Sequence, residues 1–152
     1  MYVVYTDGAC VANGAIDARG GMGVYSEDLG WEISTPWSFE ETPTNQRCEM
    51  MAVALAIAKS KHLEQHIHIR SDSEYVVKGM TEWLGGWKLR GWKNSKGKPV
   101  KNRWLWELLD SLVIGRDVTF EHVPAHVGIH GNEMADQLAY GAIQKEEEST
   151  LL

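Results

Sequence analysis

Cysteine is scarce in this sequence, long apolar runs are absent, and no acidic residue stands between Trp83 and Trp104. Each absence excludes something. The two cysteines, Cys10 and Cys48, fit no CxxC or zinc-ribbon spacing, which leaves free reduced thiols and argues against a redox or structural-metal role. No window approaches a membrane-spanning length, and no basic leader with an apolar stretch precedes Tyr2-Val3-Val4-Tyr5. The expectation is a cytoplasmic chain with no membrane partner. There is no internal repeat and no sign of a second domain. With 152 residues, 43% of them hydrophobic and 24% charged, the chain suits one soluble domain with a core of its own.

Cations fill the stretch that lacks acids. Lys88, Arg90, Lys93, Lys96, Lys98, Lys101 and Arg103 are seven of the 15 basic residues, leaving eight elsewhere against 21 acids. A segment of +7 on a body of −13 points to a polyanionic partner at one face, despite a net charge of −6. Trp83, Trp87, Trp92, Trp104 and Trp106, five of the seven tryptophans, are interleaved with or border these cations. Trp83 and Trp87 lie four apart and suit one helix face, so part of this aromatic content is core packing.

Tyr2 to Thr6 is rich in β-branched and aromatic residues and predicts a strand that ends in a turn at Asp7-Gly8. Gly21 to Ser26 and Trp31 to Thr35, joined through Glu27-Asp28-Leu29-Gly30, complete a three-stranded antiparallel unit. From Asn45 to Lys61 apolar residues recur at helical spacing, with Thr44 as N-cap. Ile67 and Ile69 alternate with His66, His68 and Arg70 in a strand that stops at Ser71-Asp72 and feeds a helix beginning near Ser73. Leu105 to Val113 reads as a helix, Val118 to Val123 as a strand and Asn132 to Ile143 as a final helix. Strands that alternate with helices pair in parallel, so the expected class is α/β: a mixed sheet, three strands antiparallel and two parallel, flanked by helices. Residues 1–144 make the domain, and Lys145 to Leu152 is expected to be a disordered tail.

Ligand sites in such sheets favour the carboxyl ends of strands, where Asp7 and Asp72 both fall. Glu49 lies about one turn into its helix and Asp136 arrives from the last one. Taken singly these residues have ordinary explanations as a turn, a solvated helix residue, an N-cap and a surface charge. Their joint placement lowers that reading, because crowded carboxylates repel one another unless cations neutralise them. His66 and His68 share a strand face, yet two histidines alone make no zinc site.

In order along the chain stand Tyr5-Thr6-Asp7-Gly8-Ala9-Cys10, Thr44-Asn45-Gln46-Arg47-Cys48-Glu49, Ser71-Asp72-Ser73, the basic Trp-rich segment, and His122-Val123-Pro124-Ala125-His126 with Gly131-Asn132-Glu133-Met134-Ala135-Asp136. From residue 2 to about 142 the chain resembles a type 1 ribonuclease H, the cellular class that cuts the RNA strand of RNA-DNA hybrids. The resemblance implies a ribonuclease H-like five-stranded sheet and an endonuclease whose catalytic domain is residues 1–144. It makes Asp7, Glu49, Asp72 and Asp136 the metal ligands, with two Mg2+ per site and Mn2+ as the substitute. Products would carry 5′-phosphate and 3′-hydroxyl ends. His126, on a glycine-flanked loop, would move protons, since imidazole titrates near neutrality. Glu133, three residues before Asp136, would touch the metal site transiently, with a plain surface charge as the equal alternative.

Telling RNA from DNA needs groups that read a 2′-hydroxyl, and amides both donate to and accept from one. By resemblance, Asn13, Asn45 and Gln46 contact the RNA strand. Thr44, Tyr75, Trp87, Ser95 and Asn102 contact the DNA strand, and Lys88, Arg90, Lys93, Lys96, Lys98 and Lys101 form an accessory basic surface. Thr42 stands where some relatives place an arginine, and the loop Val11 to Gly20 differs from the short Gly-Pro-rich bacterial version. The expected partner is an RNA-DNA hybrid bound by a monomer with no obligate protein partner. With no room before Tyr2 for a separate hybrid-binding domain, low processivity is expected. Three alternatives stay open: another nuclease or transferase of the same fold, a retroviral ribonuclease H module, and a catalytically silent hybrid binder.

Overall fold

Strand β1 (Tyr2–Val11) organises the chain. β2 (Arg19–Ser26) and β3 (Trp31–Pro36) fold back antiparallel on one side of it, while β4 (Ile67–Ser71) and β5 (Val118–His122) add in parallel on the other. The result is a five-stranded mixed sheet in the order β3-β2-β1-β4-β5, as expected. This computed structural model describes residues 1–150, with backbone alone at 149 and 150.

The Asp7-Gly8 pair does not end β1. Asp7 pairs with Gly23 and Gly8 with Met22, deep inside the β1–β2 ladder. Gly8 is required here for proximity and not for turning: a Cβ on it would run into the main chain of Cys48 and Glu49. That close approach brings helix α1 (Asn45–Lys59) down onto β1 beside Asp7. Thr44 caps α1 as expected, its Oγ1 accepting from the Arg47 N–H at 3.1 Å. At the other end the Arg116 guanidinium donates to the Ile57 and Ser60 carbonyls at 2.9 and 2.8 Å, adding to the Ser60 and Leu63 N–H groups that those carbonyls already accept.

α1 is buried along much of its surface through Met50, Val53, Ala56 and Ile57, because the sheet lies on one side and α4 (Arg103–Val113) on another. Leu105, Trp106 and Leu109 of α4 complete this core with Val4, Ile67 and Ile69 from the strands. Between β4 and α4 the chain forms α2 (Glu74–Lys78), a π-helical turn at Gly79–Trp83 and α3 (Leu84–Leu89). The wide turn falls where Gly79 lies flat against the Trp106 indole, leaving no room for a side chain.

α5 (His130–Thr150) covers the opposite face of β1, β2 and β3. Its Ala135 and Ala139 backbone sits directly on Gly21 and Gly23 of β2. The helix runs through residues 145–150, where a disordered tail was expected. Gln, Lys and Glu are good helix formers, buried Ala142 and Ile143 anchor the preceding turn, and Glu147 pairs with Arg19 at 2.8 Å. Residues 151 and 152 of the expected tail lie outside the described residues. No helix among the described residues is long and apolar enough to cross a membrane.

Candidate active site

Three separate elements deliver carboxylates to one point. Asp7 comes from the middle of β1, Glu49 from the first turns of α1, and Asp72 from the residue that follows β4. One oxygen of each lies within 4.8 Å of the others. Asp136, from α5, is outside that close triplet but acts on the Asp7 carboxyl, both through a hydrogen bond and through its charge. Parallel pairing of β1 with β4 sets Thr6 opposite Ser71, so Asp7 and Asp72 leave adjacent strands at the same level. Asp7 is buried; Glu49, Asp72 and Asp136 are half-buried.

Burial pushes the Asp7 carboxyl up to about 8; the charge of Asp72 and the hydrogen bond and charge of Asp136 add to the effect, while a hydrogen bond with Glu49 opposes it. Glu49 is raised well above the usual carboxylate range, first by burial and then by the charge of Asp7. Without a counter-charge the Asp7 carboxyl therefore keeps its proton at neutral pH. Glu49 Oε2 is buried with no hydrogen-bond partner among the described residues, a state that costs about 1–3 kcal/mol. An all-oxygen donor set with one unmet buried acceptor fits a hard divalent cation such as Mg2+ or Mn2+.

The RNase H family model matches residues 1–144. The chain belongs to the ribonuclease H family. Ribonuclease HI of Pseudomonas aeruginosa is 46% identical over 137 residues, spanning 90% of this chain and 89% of that relative. LC9-RNase H1, a type 1 RNase H with the type 2 active-site motif, aligns with a TM-score of 0.77 and 32% identity over 95% of this chain and 72% of its own. The foamy viral protease-reverse transcriptase, solved in complex with an RNA/DNA hybrid, aligns with a TM-score of 0.76 and 26% identity over 95% of this chain and 20% of its own. A ribonuclease H is a hydrolase and nuclease, and its fold is the mixed sheet described above.

The residues that the sequence assigned to the two strands of a ribonuclease H substrate gather in neighbouring clefts. Asn13, Thr44, Asn45, Gln46, Arg47, Lys101 and Asn102 line one open cleft of about 520 Å³. Within it Asn13 Oδ1 accepts the Asn45 N–H at 2.8 Å, so that loop residue is tied to the start of α1. Tyr75 joins this cleft to the next, its hydroxyl accepting from Asn102 Nδ2 at 3.4 Å. Trp87 and Ser95 line a further groove with Trp83 and Arg90. Trp87 packs on the Trp106 ring and keeps 9% of its surface exposed, whereas Trp83 is 38% exposed.

The basic segment is not uniformly free. Lys88 pairs with Asp110 at 3.1 Å, while the Asn94 side chain accepts from the Lys96 and Lys98 N–H groups and shapes a tight loop that carries both cations outward. His126 is exposed on the loop before α5 with a positive φ of 57°. Glu133 is exposed in the first turn of α5 and is not part of the close triplet.

Sequence reasoning missed two residues. Asn132 is 2% exposed and donates from Nδ2 to Asp72 Oδ2 at 3.1 Å, fixing that carboxylate from α5. Its spacing of one helical turn before Asp136 was the available signal. Arg47 donates to the Thr42 carbonyl at 2.6 Å and to Asn102 Oδ1 at 3.0 Å, bracing the cleft from within. Nothing in its local sequence distinguishes it from a solvated helix residue.

Proposed function

We propose that this ribonuclease H hydrolyses the RNA strand of RNA-DNA hybrids at the Asp7–Glu49–Asp72–Asp136 cluster, with two Mg2+ ions as cofactor. The observation that carries the reading is the convergence of three carboxylates within 4.8 Å around a buried Glu49 oxygen that has no partner among the described residues. Asp7, Glu49, Asp72 and Asp136 would hold the cations. Bound cations supply an activated water and neutralise charge on the leaving 3′ oxygen, so the products carry 5′-phosphate and 3′-hydroxyl ends.

The chain's own residues prepare that chemistry. Asn132 holds Asp72 in place through a hydrogen bond to its Oδ2. The Gly8 N–H does the same for Asp7 Oδ1 at 2.9 Å. His126, on a loop that adopts left-handed backbone at 126 and 128, reaches toward solvent where it accepts or returns a proton near the scissile phosphate. Asn13, Asn45 and Gln46 read 2′-hydroxyls of the RNA strand. Thr44, Tyr75, Trp87, Ser95 and Asn102 hold the DNA strand, and the exposed lysines of the basic loop contact its phosphates. The hybrid found on the foamy viral relative supports this choice of substrate.

Labelled RNA-DNA hybrid, RNA duplex and DNA duplex, each incubated with and without Mg2+, test the reading together. Cleavage is expected for the RNA strand of the hybrid alone and with the ion alone. Equal cutting of RNA or DNA duplex would remove the substrate assignment.

A further inference from the structure

The sheet face that α5 leaves uncovered carries a second cluster, built from His66 and His68 on the β4 side and Asp117, Thr119 and Glu121 on the β5 side. Residues two apart on a strand point the same way, so the two imidazoles lie side by side, their rings 23° from parallel. His66 Nδ1 is 2.9 Å from Asp117 Oδ1, and His68 Nε2 is 2.7 Å from Glu121 Oε1. An ionised carboxylate can only accept, so each of those two ring nitrogens carries its hydrogen. The remaining nitrogens, His66 Nε2 and His68 Nδ1, both lie 2.7 Å from one atom, Thr119 Oγ1.

With both rings neutral that convergence is one hydrogen short, a deficit that a proton on one ring or a cation between the two makes good. In the neutral rings both nitrogens present lone pairs, and a hydroxyl has a single hydrogen to give. Two oriented lone pairs aimed at one locus, each backed by a carboxylate on the far side of its ring, is the arrangement that metal-ligating histidines adopt. We propose that His66 and His68, oriented by Asp117 and Glu121, bind one borderline divalent transition-metal ion of the Zn2+, Ni2+ or Cu2+ class. Water completes the coordination. With metal–nitrogen bonds of about 2.0–2.1 Å, the ion sits between the rings and the hydroxyl turns aside. Asp117 and Glu121 offset its charge, although Glu121 also holds Arg70 at 2.9 Å.

Chemistry separates this site from the carboxylate cluster. Imidazole selects borderline ions, whereas an all-oxygen cluster selects Mg2+ or Mn2+. His68 precedes Asp72 by four positions, roughly 13 Å along an extended chain, so one ion cannot serve both. What makes a site of a histidine pair that carries no such meaning in sequence is the pair of cross-strand carboxylates.

Imidazole nitrogen NMR on the full chain, with the carboxylate cluster saturated by excess Mg2+, tests this while Zn2+ is added. The His66 Nε2 and His68 Nδ1 signals are expected to shift together and saturate at one equivalent, and Mg2+ alone to leave them unmoved. Calorimetric Zn2+ affinity should fall about tenfold or more in His66→Asn and in His68→Asn, and about tenfold in Asp117→Asn, which removes only the orienting charge. Unshifted rings in the wild-type protein overturn the proposal, as does a His66→Asn/His68→Asn double variant that binds Zn2+ with wild-type affinity.

Discussion

Replacing Asp7 by asparagine should make the metal-free protein more stable, contrary to the usual effect of altering a buried polar residue. In the fold the Asp7 carboxyl keeps its proton up to about 8, against its ordinary 3.8. Between those values the folded state binds more protons than the unfolded one, so stability falls as pH rises. Across the interval from 3.8 to pH 7, at about 1.4 kcal/mol per pH unit, the loss is on the order of 4 kcal/mol. Glu49, raised for the same reasons, acts in the same direction. Asparagine needs no proton, keeps an acceptor for the Gly8 N–H and offers a donor to Glu49. Urea unfolding in EDTA is the assay, run from pH 4.5 to 9. The wild-type curve should decline over that range and the Asp7→Asn curve should be much flatter. At pH 7 the variant should melt roughly 10 °C higher. Added Mg2+ should then stabilise the wild type more than the variant. A variant less stable than wild type in EDTA at pH 7, or a wild type that gains stability between pH 5 and 8, would refute the electrostatic account of the cluster.

Asn132→Ala should raise the Mg2+ concentration needed for half-maximal activity by about 10- to 100-fold, read from metal titrations of the cleavage rate, since an orienting partner of a ligand is lost. His126→Ala should slow single-turnover cleavage by about 10²-fold or more, short of abolishing it, with hybrid affinity unchanged by anisotropy. Substituting Lys96 and Lys98 by alanine should reduce the slope of log affinity against log salt by about 1–2, because each phosphate contact releases counterions. An unchanged slope would remove these two lysines from the binding surface.

Much of this arrangement was legible in the sequence wherever local pattern and tertiary context agree. Ile67 and Ile69 alternate with polar residues and stop at Ser71, and β4 does the same, which leaves Asp72 at a strand end. Thr44 caps α1 as its type suggests. Asp7-Gly8 misled because Asp-Gly is a strong local turn signal, and the ladder to β2 and the descent of Cys48 onto Gly8 are both long-range. The last turns of α5 were read from charge, although Ile143 is buried just before them and Arg19, far away in sequence, pairs with Glu147. Nor could spacing reveal that Asn132 aims at Asp72 from sixty residues away, or that Gly79 widens a helical turn against Trp106. The convergence of the carboxylates is itself tertiary; motif order suggested it, and strand pairing produces it.

Asp72→Asn tests the central claim most directly. Hybrid cleavage by this variant and by the wild-type protein should be followed with and without Mg2+, alongside hybrid binding by anisotropy and folding by circular dichroism. The expected result is wild-type cleavage that depends on Mg2+, and a folded variant that binds hybrid but does not cut it. A folded Asp72→Asn protein cutting at the wild-type rate would contradict the account.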